Sequence, residues 1–153
     1  MNILLTGGTG FIGSHAHAAL RKAGYQVHLF KGDITKVDDW LTNLNSKIDI
    51  VIHIAGVRTE GKRDFAVNTG GATSLSQALA KIDHQPQAII FISTQAVYFG
   101  LTPPFTENMQ PKPPTAYGQS KLKAEEIILQ LGKKHNLRHC RKRRVKGACE
   151  KIR

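Results

Sequence analysis

A glycine-rich turn at the start of the chain constrains its fold more than any other feature. Asn2–Thr6 is a short apolar run that breaks into Gly7-Gly8-Thr9-Gly10-Phe11-Ile12-Gly13. Over residues 11–23 the apolar residues Ile12, Ala16, Ala19, Leu20 and Ala23 then recur at helical spacing, and Gly24 stands where a helix closes. Glycines at 7, 10 and 13 serve three needs of a strand that turns straight into a helix. One permits the tight turn, one lets backbone approach a pyrophosphate, and one packs helix on strand. The free N–H groups and the dipole of the helix start then favour phosphate.

The rest of the chain repeats the pattern of strand, then helix. Residues 26–30 read as a second strand, 49–54 as a third ending at Ala55-Gly56, and 88–93 as a fourth of buried character. Between them lie two helical stripes. Val37, Trp40, Leu41 and Leu44 form the first, and Asn68, Ala72, Leu75, Leu79 and Ile82 form the second, within residues 64–82. A loop with Pro103, Pro104, Pro111, Pro113 and Pro114 carries too many prolines for regular structure. A last helix over residues 116–135 directs Ala124, Ile127, Ile128 and Leu131 towards a core. The alternation predicts an α/β protein with a parallel sheet and about five βα units in one domain, residues 1–137.

Composition excludes several classes. With 41% hydrophobic and 22% charged residues, the chain is of ordinary globular type. MNILLTGG lacks a basic n-region and a long apolar run, and no stretch approaches bilayer length, so a cytoplasmic protein with no membrane partner is expected. Cys140 and Cys149 have neither disulfide-framework nor zinc spacing and the histidines are scattered, so no metal is expected. The net charge of +11 is uneven: eight basic residues and one acid, Glu150, lie from Arg138 onward, leaving +4 on residues 1–137. The final stretch RHCRKRRVKGACEKIR has no apolar period, so residues 138–153 read as a basic tail, irregular or disordered. The last helix then has no strand to return to. Nucleic acid as a partner is suggested by this tail alone.

Several motifs together resemble the extended short-chain dehydrogenases, which include NAD-dependent sugar-nucleotide epimerases, dehydratases and reductases. TGGTGFIGSH is similar to their opening motif, Gly32-Asp33-Ile34 to an adenine-contacting motif, and VIHIAG to the strand that lines the cofactor. Asn68 matches an asparagine that braces its helix to the central strand. FISTQAVY resembles the strand with the catalytic Ser/Thr, PFTEN the loop before the signature, and Tyr117-Gly-Gln-Ser-Lys121 the YxxxK signature itself. The resemblance covers about residues 1–135 and implies a doubly wound Rossmann fold. It also implies NAD or NADP held by Gly7, Gly10, Phe11, Ile12, Gly13, Lys31, Asp33, Ile34, Ala55, Gly56, Asn68, Tyr117 and Lys121.

The chemistry of the signature agrees with this resemblance. Tyr117 and Lys121 are four apart at a helix start, hence one turn apart on one face. An ammonium near a phenol stabilises the phenolate and lowers its pKa from about 10. Tyr117 can then remove or return a hydroxyl proton while hydride moves to or from nicotinamide. Thr94 can donate to the same substrate oxygen, which makes Thr94, Tyr117 and Lys121 the expected catalytic residues.

Two departures from the family pattern stand out. Val27-His28-Leu29-Phe30 runs straight into Lys31-Gly32-Asp33-Ile34, so about one βα unit is missing. Lys31 replaces the ribose-gripping acid and suits the 2′-phosphate of NADP, whereas Asp33, twenty residues after Gly13, suits the ribose itself; both cofactors stay open. The family also continues into a C-terminal substrate domain, which is lacking here. The abrupt change to featureless sequence reads as truncation or frameshift, with a functional basic tail as the rival. The expected function is that of an NAD(P)-dependent sugar-nucleotide epimerase, dehydratase or reductase of poor activity. The alternative is a non-catalytic dinucleotide-binding module, a redox sensor or interaction protein with a basic tail. A nucleotide-sugar substrate and a homodimer through the helices at 64–82 and 116–135 are implied by the resemblance.

Overall fold

The computed structural model describes residues 1–58, 64–106 and 108–143. In chain order the elements are β1 (Asn2–Thr6), α1 (Phe11–Lys22), β2 (Gln26–Leu29), α2 (Val37–Asn43) and β3 (Ile50–His53). Then come α3 (Ala66–Leu79), β4 (Ala88–Ile92), a 3-10 turn (Gln95–Tyr98), α4 (Ala116–Lys134) and β5 (Arg138–Lys142). The five strands pair in the order β2-β1-β3-β4-β5, all parallel, with Leu4 opposite His28 on one side and Val51 on the other. This is the expected α/β sheet, and the shortened connection leaves β2 at its edge.

Alternation along the strands sorts the core into two layers. Leu4, Val51, Ile89 and Phe91 face a large cluster completed by Trp40 of α2, Leu75 and Leu79 of α3, and Ala124, Ile128 and Leu131 of α4. Ile3, Leu5 and Ile52 face the other way, towards Leu20 of α1. Helices therefore cover both faces, the arrangement called doubly wound. The strand order reverses at β1, whose C-terminal end opens next to that of β3. In sheets of this kind, ligands bind at such a switch point.

The C-terminal part corrects one expectation. Residues 138–142 are not an irregular tail: they form β5, which pairs with β4 from Ala88↔Arg138 to Ile92↔Lys142. Helix α4 ends at Lys134, the Asn136 that follows its C-cap has the left-handed φ of 52° that closes many helices, and Leu137 is buried. The missing apolar period misled because strand pairing is made by backbone groups, which no side-chain pattern reports. The remainder of the expected tail, residues 144–153, lies outside the described residues.

Candidate functional site

A cleft of about 550 Å³ lies at the switch point, between the turn after β1 and the segment after β3. Its floor is built on two glycines. Gly7 has φ 70°, and a Cβ there would stand 2.7 Å from the Ala55 nitrogen; a Cβ on Gly13 would strike the Gly7 carbonyl. Helix, turn and β3 are thus packed backbone on backbone. Gly10 is different. It is the N-cap of α1 with an ordinary φ of −79°, and a Cβ there would approach only the Gly7 carbonyl, at 3.3 Å. No side chain caps α1 and no acid stands in its first turn. The first intrahelical backbone bond runs from the Ser14 N–H to the Gly10 carbonyl, so the N–H groups of Phe11, Ile12 and Gly13, residues that line the cleft, have no partner in the helix. Phe11 and Ile12 are exposed beside them.

Beneath the turn, Thr6 and His53 tie β1 to β3. The Thr6 hydroxyl accepts from the N–H groups of Ile54 and Ala55, both at 3.1 Å, so its own proton goes to Nδ1 of His53 at 2.7 Å. The neutral ring therefore carries its proton on Nε2, which has no partner among the described residues. Burial, with a smaller contribution from the Lys121 charge, pushes the His53 pKa down to about 3.

The far end of the cleft is made by α4 and the end of β4. Thr115 caps α4 by accepting from the Gly118 N–H at 3.1 Å. This places Tyr117 half-buried and Lys121 only 4% exposed. The Lys121 ammonium donates to the Ile92 carbonyl at 2.7 Å and lies 4.1 Å from the centroid of the Phe91 ring. Burial lowers its pKa to about 8, although nearby Glu125 acts in the opposite direction. Asn68 accepts from the Val57 N–H at 2.8 Å and donates to the Val57 carbonyl and the Ser120 hydroxyl. It braces α3 to the loop after β3 and to α4.

Most residues expected at the site meet in this one cleft: Gly7, Gly10, Phe11, Ile12 and Gly13 on the turn and helix start, Ala55 against Gly7, and Gly56, Asn68, Tyr117 and Lys121 beyond it. Lys31, Asp33, Ile34 and Thr94 do not line it. Ile34 belongs to the core, because α2 and α3 close over it. The Asp33 carboxylate accepts from the Thr35 N–H and hydroxyl, chiefly the backbone bond holding its pKa down, and Lys31 is exposed. Thr94 accepts from the Ala96 N–H at 3.2 Å and caps the 3-10 turn. Sequence reading missed Arg58 and Ser93, which line the cleft. Ser93 follows β4 immediately, and strand alternation alone would have separated its face from that of Thr94.

It also missed a buried cluster behind α4. Nε of Arg143 donates to both oxygens of Glu125, at 2.9 and 3.0 Å, and its terminal nitrogens donate to Glu125 and the Tyr98 hydroxyl. Both charged side chains are essentially buried.

A glycine turn at the switch point, an open helix start and a Tyr-Lys pair in one cleft define a Rossmann-type α/β protein of the short-chain dehydrogenase kind. The model of the NAD dependent epimerase/dehydratase family matches residues 3–143, and the chain belongs to that family. It is 31% identical to a UDP-glucose 4-epimerase of Neisseria meningitidis serogroup C over 86% of this chain and 48% of that protein. The chain thus spans about half the length of the curated relatives it matches. RMD from Pseudomonas aeruginosa complexed with NADPH superposes with a TM-score of 0.81 and 30% identity, over 93% of this chain and 53% of that one. For UDP-glucuronic acid 4-epimerase from Bacillus cereus with UDP-glucuronic acid and NAD, the figures are 0.77, 27%, 94% and 56%.

Proposed function

We propose that this chain binds NAD or NADP across the cleft, the pyrophosphate on the start of α1 and the nicotinamide end beside Tyr117 and Lys121, and that it forms the cofactor half of a sugar-nucleotide epimerase, dehydratase or reductase. The observation that carries this reading is the continuity of the cleft from the uncapped helix start to the Tyr-Lys pair. The residues present fit a dinucleotide: Gly7 and Gly13 let helix, turn and β3 pack backbone on backbone, and Gly10, where a Cβ would meet only the Gly7 carbonyl, leaves the helix start open.

The bound dinucleotide supplies a hydride donor or acceptor. Tyr117 gives or takes the proton of a sugar hydroxyl. Lys121 has three donors, so it can keep the Ile92 carbonyl while holding ribose hydroxyls and favouring the phenolate. Thr94, which stands outside the wall of the cofactor cleft, accepts from Ala96 and keeps its proton, so its role on the sugar oxygen is carried by likeness to the family alone. The choice of cofactor falls to the exposed Lys31, which suits a 2′-phosphate, and Asp33, which suits a ribose hydroxyl. A nucleotide-linked sugar is the substrate, by likeness to the relatives. Helices α3 and α4 pack side by side and are the proposed homodimer surface.

Calorimetric titration with NAD⁺ and NADP⁺ tests the reading. Wild type should bind one of them at micromolar strength, about −8 kcal/mol, and folded Gly10→Val should bind neither. No binding to the folded wild-type chain overturns it. Tyr117→Phe should retain cofactor binding and lose turnover of a UDP-sugar. Binding with no wild-type turnover would favour the non-catalytic module instead.

A further inference from the structure

Two hydroxyl residues follow β4, and they have opposite environments. Thr94 is extended, with φ −146° and ψ 151°, and its oxygen is used by the Ala96 N–H. Ser93 lines the cleft, is 9% exposed, and its hydroxyl has no hydrogen-bond partner among the described residues. Buried polar groups are nearly always paired, so each exception asks for a reason. Among the described residues, the other orphaned buried side-chain atoms are on His53, Gln85 and His135, and none of those residues lines the cleft. Among the described residues, Ser93 alone combines an unpaired hydroxyl with a place in the wall.

Its position states which part of a ligand it meets. The Ile92 carbonyl, one residue earlier, holds the Lys121 ammonium, and Tyr117 lines the same end. The N–H groups that suit phosphate belong to the start of α1, at the opposite end. A serine hydroxyl both donates and accepts, which matches a carboxamide, a group that has a carbonyl and an amine on one carbon.

We propose that the Ser93 hydroxyl hydrogen-bonds the nicotinamide head of the bound dinucleotide and orients it against Tyr117 and Lys121. This rests on the dinucleotide reading above and adds a cofactor-positioning residue to it. The orphaned hydroxyl gains its partner only when the head is in place. A ligand that has the adenosine, both phosphates and both riboses but no nicotinamide gains nothing from Ser93.

NAD⁺ and ADP-ribose differ in that head, so titrating both into wild type, Ser93→Ala and Ser93→Thr tests the proposal. Ser93→Ala should weaken NAD⁺ binding roughly three- to tenfold and leave ADP-ribose binding unchanged. Ser93→Thr, which keeps the hydroxyl, should restore the preference for NAD⁺. The melting temperature of unliganded Ser93→Ala should not fall, because the variant removes an unpaired buried oxygen. Equal weakening of both ligands, or no change with NAD⁺, overturns the role of Ser93. Failure of wild type to bind either ligand overturns the dinucleotide reading itself, and this one with it.

Discussion

His53 sits under the cleft with its charge suppressed by burial, its Nδ1 bonded to Thr6 and its ring 5.6 Å from that of Phe91. A folded pKa near 3, against 6.5 for the free group, means that the unfolded chain takes up a proton first as pH falls. Stability from this residue is therefore full above about pH 6.5 and is lost as pH drops towards 3. His53→Asn, which cannot titrate, should show a shallower loss of stability over that window than wild type, read from urea midpoints. An equal slope in both would mean that His53 is charged or exposed. His53 and Thr6 both stand in motifs plain in the sequence, at the ends of VIH and LLT. Their hydrogen bond was not legible, because it depends on the register that sets Thr6 opposite His53 across 47 residues of chain.

At the scale of elements, the join between α4 and the end of β5 depends on charge. Glu125 lies one turn beyond Lys121 on α4, and Arg143 reaches it from just past β5 while also lying 4.9 Å from the Tyr98 ring centroid. Removing one partner of such a pair takes a buried counter-charge from the other. Arg143→Met should cost about 3–5 kcal/mol, measured by urea denaturation, and Glu125→Leu in the same chain should recover most of it. Additive losses in the double variant would show that the two groups are not paired. The apolar stripe of α4 was readable from spacing, since Ala124, Ile128 and Leu131 are all buried. Arg143 was not, because a basic run looks solvated until a buried carboxylate is found opposite one of its members.

For the whole molecule, the consequence concerns the chain's end. β5 covers the outer edge of β4, and the residue after it neutralises Glu125. A chain ended after Leu137 would expose that edge and take the Arg143 guanidinium from that carboxylate. It should melt well below the full chain in a circular-dichroism scan. An unchanged melting temperature would return residues 138–153 to the status of a dispensable tail. No helix among the described residues is long and apolar enough to cross a membrane.

Local sequence by itself determined the run of strands and helices, the glycine turn, and the Tyr117-Lys121 spacing. Each of these is set by steric and periodic rules acting within a few residues. The tertiary structure alone decided which of those residues share a cleft. It placed Ser93 in the wall and Thr94 outside it, buried Ile34 in the core, and made a strand of a basic stretch. The physical reason is that strand order, facing and charge pairing arise from contacts between distant segments. A hydroxyl or an arginine has the same letter whether its partner is water, a ligand or a buried carboxylate.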